Sequence, residues 1–468
     1  MGRKRRKKII PGVKLTGIAD KGKSVGRDEE GRVVFVDNAA PGDVVDVLVY
    51  RKKKGFFQGV PKAFHEMSDD RIPAFCDHYD QCGGCKWQHI TYEAQLRHKQ
   101  KVVEDALTRI AKMEPDEMSP ILGADHTRYY RNKLEFSFSS KRWLTRAEID
   151  ADLSNRADVL GFHPPGAYDK VVDIQHCWLQ PDPSNAIRNQ IRRIAHAREL
   201  PFFDSRANEG FLRQLLVRIS SLGQVMVVVS FYRHEPKLMN PFMDDILEQL
   251  PEIDTLLYCI NPKPNDFMFD LDMEVYYGSG FIEDRLRDLT FKIGPKSFFQ
   301  TNTRQAERLY DVAVEFAGLK GDENVYDLYC GIGSIALYQA GKCRQVVGIE
   351  EVEEAIEDAR TNAALNGIEN AVFHAGDVRD VLDEEFASRH GSPDVVITDP
   401  PRAGMHPKVV KTLLELLPPK IVYVSCNPAT QARDLQLLAE AYRLVRSQAV
   451  DMFPHTHHIE NVVLLQRK

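Results

Sequence analysis

The chain has 468 residues, 43% of them hydrophobic and 28% charged, with a net charge of −6. That length is too great for one core and predicts two or three globular domains. No apolar run reaches membrane-spanning length and none follows the basic first residues as a secretory signal would require. Eight cysteines are too few for a disulfide framework in a chain of this size and fit a reducing, cytoplasmic compartment.

The charge is unevenly placed. Residues 1–65 hold sixteen Lys/Arg against seven Asp/Glu, a balance of +9 that leaves −15 on the rest. The excess sits in "RKRRKK", Arg3 to Lys8, and "RKKK", Arg51 to Lys54. The first run by itself reads equally well as a solvated tail over residues 1–8. A basic lobe on an acidic chain predicts a place for phosphates, because counterion release drives polyanion binding where cations cluster. Between the two runs, short β-branched segments cut by Gly, Pro, Asn and Asp predict four or five strands closing an OB-like barrel over 9–65. "CDHYDQCGGCKW" then places Cys76, Cys82 and Cys85 within ten residues, a crowding of thiols that suggests a common ligand. The stretch from Thr91 to about residue 112 predicts one helix with Leu96, Val103, Leu107 and Ile110 near one face. From about Tyr129 to Ile293 strands dominate, with helical pieces near Asn185–Glu199 and Pro241–Leu250.

After about Leu289 strands and helices alternate. Five βα units and a closing strand pair predict an α/β, doubly wound, mostly parallel sheet, whose ligands sit outside the carboxyl ends of the strands. The distinctive residues fall there. In "DLYCGIGSIA", Gly331 and Gly333 allow a sharp turn at a helix N-terminus, and Glu350 ends the next strand, placed to grip ribose hydroxyls. Gly331, Gly333 and Ala336 also satisfy a dinucleotide fingerprint. Asp327 would repel a pyrophosphate but suits the ammonium of S-adenosylmethionine (SAM). "TDPPRAG" fixes Asp399 beside that pocket. "VSCNPAT" puts Cys426 at the end of the fifth strand as a nucleophile, and "FPHTHHIEN" puts Glu460 beside the same crevice as a base. His455, His457 and His458 resemble metal ligands but match no standard zinc spacing.

Taken in order, "SFFQTN", "DLYCGIG", "DPPRAG", "SCNP" and "HTHHIE" resemble the RNA uracil-5-methyltransferase family. "CDHYDQCGGC" with "DIQHCWL" resembles its iron–sulfur branch, the 23S ribosomal RNA uracil methyltransferases, and residues 9–65 resemble the TRAM domain that this branch carries. The resemblance implies a class I SAM-dependent methyltransferase domain over 291–468. It implies a mixed α+β iron–sulfur middle domain over 66–290, and a helix at 91–112 that packs on the catalytic domain. It also implies that Cys76, Cys82, Cys85 and Cys177 hold a [4Fe–4S] cluster; four thiolates would also satisfy zinc, but a zinc ribbon normally shows two C-x2-C pairs and Cys177 stands alone. Cys259, Cys330 and Cys343 stay unassigned.

The implied chemistry follows from a weak nucleophile. Uracil C5 accepts a methyl group only after a thiolate adds to C6, so Cys426 is the implied nucleophile and Glu460 removes the C5 proton. SAM lies over Gly331–Gly333 with Glu350 on its ribose, and Gln300, Tyr329, Ser334, Asp377 and Asp399 line the cofactor or uracil pocket. A free thiol titrates at about 8.5, so Cys426 is expected to draw on the dipole of the helix after Pro428. The expected partner is RNA, 23S rRNA before tRNA, with no membrane and no obligate protein partner. A cytosine-5 RNA methyltransferase, a nicotinamide oxidoreductase and a noncatalytic RNA-binding protein are the competing expectations.

Overall fold

A computed structural model describes residues 8–468; the expected basic tail, apart from Lys8, lies outside them. The strands Ile9–Ile18, Ser24–Arg27, Val33–Val36, Phe56–Glu66 and Val44–Lys53 close a barrel in that spatial order. All neighbours are antiparallel except Val33–Val36 with Phe56–Glu66. Alternation along each strand turns Val13, Leu15, Val34, Val36, Val45, Val47 and Phe57 inward to form its core. The Arg71 guanidinium grips the buried Asp43 carboxylate at 2.7 Å and ties the barrel to the segment that follows.

The middle of the chain forms a seven-stranded sheet, with Leu212–Ile219 and Val225–Phe231 buried along their whole length. The helices Ser184–Ala197 and Pro236–Gln249 pack on it with Ile187, Ile191, Phe242 and Ile246. The second helix starts five residues before its expected Pro241, because Pro236 at its first turn needs no hydrogen-bonded N–H.

The third body is an eight-stranded sheet. Its order is Ala371–Ala375, Gln345–Glu350, Asn324–Leu328, Val395–Thr398, Lys420–Ser425, Glu460–Arg467, Tyr442–Val450, Glu117–Leu122. The first five strands are parallel, and Glu460–Arg467 enters antiparallel between Lys420–Ser425 and Tyr442–Val450. Helices cover both faces: Leu309, Ile335 and Ile356 pack on one, Val409, Leu435 and Phe386 on the other.

Two features differ from the expected boundaries. The strand Glu117–Leu122, unread in the sequence, extends this sheet parallel to Tyr442–Val450. The hairpin Ile282–Leu286 with Leu289–Ile293 straddles residue 290 and packs against the helices Thr303–Ala317 and Glu353–Leu365. Its strands cannot be divided between domains without breaking their ladder.

The helix Tyr92–Ala106 packs on the sheet's last strands and ends in a π-turn, Leu107–Ala111. Val103 and Leu107 are buried, whereas Leu96 is half-buried and Ile110 exposed. The expected stripe was read from apolar side chains alone. The buried face also includes Gln95 and Lys99: the Lys99 ammonium donates to Asp451 at 2.6 Å, and Gln95 bonds the His455 backbone and ring. The π-turn then rotates Ile110 outward. Among the described residues no helix is long and apolar enough to cross a membrane.

Candidate active site

A cavity of about 1900 Å³ opens at the carboxyl ends of the parallel strands. Gln300, Tyr329, Gly331, Glu350, Asp377, Asp399, Cys426 and Glu460 all line it. Its cofactor end is built by backbone geometry. Tyr329 and Gly331 take left-handed conformations (φ 65° and 53°), costly for the tyrosine, and space is open where a side chain at Gly331 would project. The Glu350 carboxylate accepts from the amides of Gly331 (3.2 Å) and Val352 (3.0 Å), which fixes it at the mouth. Asp377 lines the wall while capping the Val378–Val381 turn.

Three expected contacts are placed otherwise. Gly333, Ser334 and Asp327 are not among the lining residues. A Cβ on Gly333 would meet Phe373 and Ala359 at 3.1–3.2 Å, so this glycine admits helix packing. The Ser334 hydroxyl bonds Tyr310 at 3.1 Å. Asp327 lies wholly buried under the glycine loop with both carboxylate oxygens unpartnered. Burial, then the charge of Asp399, pushes its pKa well up.

The reactive end joins Cys426, Asp399, Glu460 and a residue the sequence did not single out, Arg402. Burial raises both carboxyls: Asp399 is pushed up to about 7, and Glu460 is raised by burial and by Asp399, against the pull of Arg402. The Cys426 thiol is pushed up to about 11, by burial first and then by Glu460 and Asp399; Arg402 opposes this through charge and a hydrogen bond. This corrects the expectation of a thiol acidified by a helix dipole. The helix Pro428–Leu438 does begin two residues on, but burial of the thiol, with Glu460 and Asp399 adding to it, keeps the sulfur protonated. That helix start acts indirectly instead, because Asn427 and Thr430 each donate to the Arg402 carbonyl at 3.1 Å and hold its loop.

Alkylation of Cys426 in the free enzyme, followed on its peptide by mass spectrometry, should therefore accelerate about tenfold per pH unit until near pH 11. Arg402→Gln removes the cation and should slow it by about tenfold at pH 8. A pH-independent rate, or a faster variant, would contradict this electrostatic balance.

Arg402 lies three residues after Asp399 in "DPPRAG", so its position was legible even though its role was not. Phe298 is 70% exposed on the cavity wall, in "SFFQTN". Asn132 and Arg131 had no local signal, since they lie far away in the chain, just before the strand Lys133–Lys141 of the middle sheet. The Asn132 amide donates to the Gln300 carbonyl (3.0 Å) and its backbone N–H to Thr301 (2.8 Å), clamping the loop that presents Phe298 and Gln300.

Cys76, Cys82, Cys85 and Cys177 line a second cavity, of about 210 Å³. Burial pushes the Cys82 and Cys85 thiols up to about 12 and raises those of Cys76 and Cys177. Among the described residues no three His, Cys, Asp or Glu side chains form a group able to hold a metal ion. The histidines of "HTHHIE" are engaged otherwise: His455 with Gln95, His458 in a tilted ring contact with His457 (4.2 Å) and 3.5 Å from Arg402. Arg131 lines both cavities.

A parallel sheet with an inserted antiparallel strand, a glycine loop after its first strand and an acid after the second define a SAM-dependent methyltransferase domain. The comparisons narrow this class. Residues 271–468 match the family of tRNA (uracil-5-)-methyltransferases and residues 12–61 the TRAM domain. The chain is 52% identical to an uncharacterized RNA methyltransferase of Bacteroides thetaiotaomicron, over 96% of this chain and all of that one. It is 42% identical to another from Chlorobaculum tepidum, over 99% and 97%. Among solved structures it resembles the tRNA (uracil-54, C5)-methyltransferase of Pyrococcus abyssi in complex with S-adenosyl-L-homocysteine. That match has a TM-score of 0.74 and 30% identity, covering 97% of this chain and 99% of that one. The chain belongs to the RNA uracil-5-methyltransferase family and is an RNA (uracil-5-)-methyltransferase.

Proposed function

We propose that the enzyme methylates a uridine of 23S ribosomal RNA through a covalent bond between Cys426 and uracil C6. The observation that carries this mechanism is the convergence of Cys426, Glu460, Asp399 and Arg402 in the cavity that also holds Glu350 and Gly331. When bound, SAM supplies a sulfonium methyl group; the open side of Gly331 and the amide-anchored Glu350 suit its adenosine end. Arg402 stabilises the Cys426 thiolate as it adds to C6, and the added sulfur turns C5 into an enolate-type nucleophile. Once C5 carries the methyl group, Glu460 takes its proton and the C6–sulfur bond breaks, returning the thiolate. The exposed Phe298 ring offers a face for the flipped base, and the barrel and middle domain hold the surrounding RNA.

The four cysteines, by this proposal, hold a [4Fe–4S] cluster. What supports a cluster over zinc is the spacing, since Cys76, Cys82 and Cys85 with the lone Cys177 lack the two C-x2-C pairs usual of a zinc ribbon, while all four line one cavity. The cluster's part is structural, since methyl transfer from a sulfonium needs no electron.

A specific observation favours tRNA as a second substrate. The Pyrococcus abyssi enzyme, named for tRNA, aligns over 97% of this chain, so the barrel and cysteine segment do not by themselves point to the ribosome. Labelled SAM offered to unmodified 23S rRNA and unmodified tRNA, with the nucleoside identified, separates the two. Label as 5-methyluridine in 23S rRNA is expected, from a brown protein containing iron and acid-labile sulfide. Label confined to tRNA would discard the ribosomal substrate, and stoichiometric zinc would discard the cluster.

A further inference from the structure

Outside the catalytic cavity, five side chains form a partly exposed ring system beside the cysteine cavity. The Arg128 guanidinium lies 3.9 Å from the Phe75 ring centroid and 5.1 Å from that of Trp178. Trp178 in turn contacts Tyr129 (5.6 Å, tilted) and His176 (4.6 Å, edge-on). Tyr129 is 39% exposed, and its backbone has φ 55°, a conformation an L-residue adopts at a cost. It is held there by its own N–H, which donates to the Trp178 carbonyl at 2.7 Å, and by its hydroxyl, which meets His176 at 3.0 Å. A large ring kept half in water by a costly backbone is not explained by burial. Apolar faces paired with a cation match what a splayed-out nucleobase requires: a stacking surface and a positive charge near its phosphate.

The position is equally suggestive. Arg131, two residues after Tyr129, lines the catalytic cavity, and two residues of extended chain span at most about 7 Å. The geometry points to a second base-binding subsite: Tyr129, Trp178 and Arg128 stack a nucleobase flanking the target uridine on the same single-stranded segment. This rests on RNA being the substrate but not on which RNA.

The test uses the full-length protein and a fluorescein-labelled ten-nucleotide uridine oligomer, with the same backbone lacking bases as a second probe, read by anisotropy across a salt series. Tyr129→Gly removes the ring and tolerates φ 55° without strain, so it should fold at least as well as wild type. It should weaken binding of the uridine oligomer by about tenfold, leave the base-free probe unaffected and preserve the slope of affinity against salt. Tyr129→Phe should restore wild-type affinity, and Arg128→Ala should weaken binding independently. The subsite would be overturned if Tyr129→Gly bound the uridine oligomer within twofold of wild type, or lost affinity equally for both probes. Because the probe is neither rRNA nor tRNA, a failure of the ribosomal assignment leaves this result unchanged.

Discussion

Cys426→Ala is expected to transfer no detectable methyl group to RNA while binding SAM within about twofold of wild type. The fall in turnover should be about four to six orders of magnitude, as when a covalent nucleophile is deleted from an assembled site. The separation of effects follows from where the residue stands. Cys426 follows the strand Lys420–Ser425, whereas the glycine loop follows Asn324–Leu328 and Glu350 ends Gln345–Glu350, with Val395–Thr398 between. Truncating a half-buried sulfur should therefore leave the cofactor end intact. Cys426→Ser is expected to be nearly as inactive, because a hydroxyl ionises less readily still beside Glu460 and Asp399. Single-turnover transfer from labelled SAM, with calorimetric titration of the cofactor, measures both quantities. Turnover within tenfold of wild type would take the covalent step away from Cys426; lost SAM binding would mean that the thiol supports the cofactor pocket instead.

What could be read from the sequence, and what could not, divides along chemistry. Reactive residues announce themselves by strand-end motifs, so Cys426, Asp399, Glu460 and Glu350 could be placed in one crevice from βα alternation alone. Charges that tune them are less visible. The sulfur's position before a helix suggested an acidic thiol, but only the folded structure shows that the sulfur is buried, with Glu460 and Asp399 adding to the upward shift. Gly333 illustrates the same limit: a motif gives chain position, while the choice between lining a cavity and packing beneath it depends on Phe373 and Ala359, far away in sequence.

Discontinuity hid the rest. Asn132 holds the Gln300 carbonyl from 168 residues away, and Lys99 meets Asp451 across 352. Neither Asn nor Lys has a local pattern that marks such a role. Burying Lys99 requires Asp451, since an unpaired ammonium in an apolar interior is costly. The pair therefore fixes the helix Tyr92–Ala106 against the catalytic sheet, whatever its place in the chain.

Glu460→Gln should stop the reaction one step later than Cys426→Ala. Carbon–sulfur bond formation at C6 and methylation of C5 need no base to remove the C5 proton, but breaking the C6–sulfur bond does. The variant should therefore accumulate a methylated RNA–protein adduct that survives denaturing electrophoresis, with kcat reduced by about a hundred- to ten-thousand-fold. The wild-type pH profile offers a second signature. A base must be ionised to work, and burial beside Asp399 raises Glu460 while Asp399 itself is pushed up to about 7. Activity should accordingly be lost as pH falls while still above the range where an exposed carboxylate would protonate. The amide introduced by Glu460→Gln cannot ionise, so adduct formation in the variant should not follow Glu460's part of that limb. A variant that releases 5-methyluridine at the wild-type rate would show that another group takes the proton, and Asp399, the other carboxyl in reach of the sulfur, would be tested next.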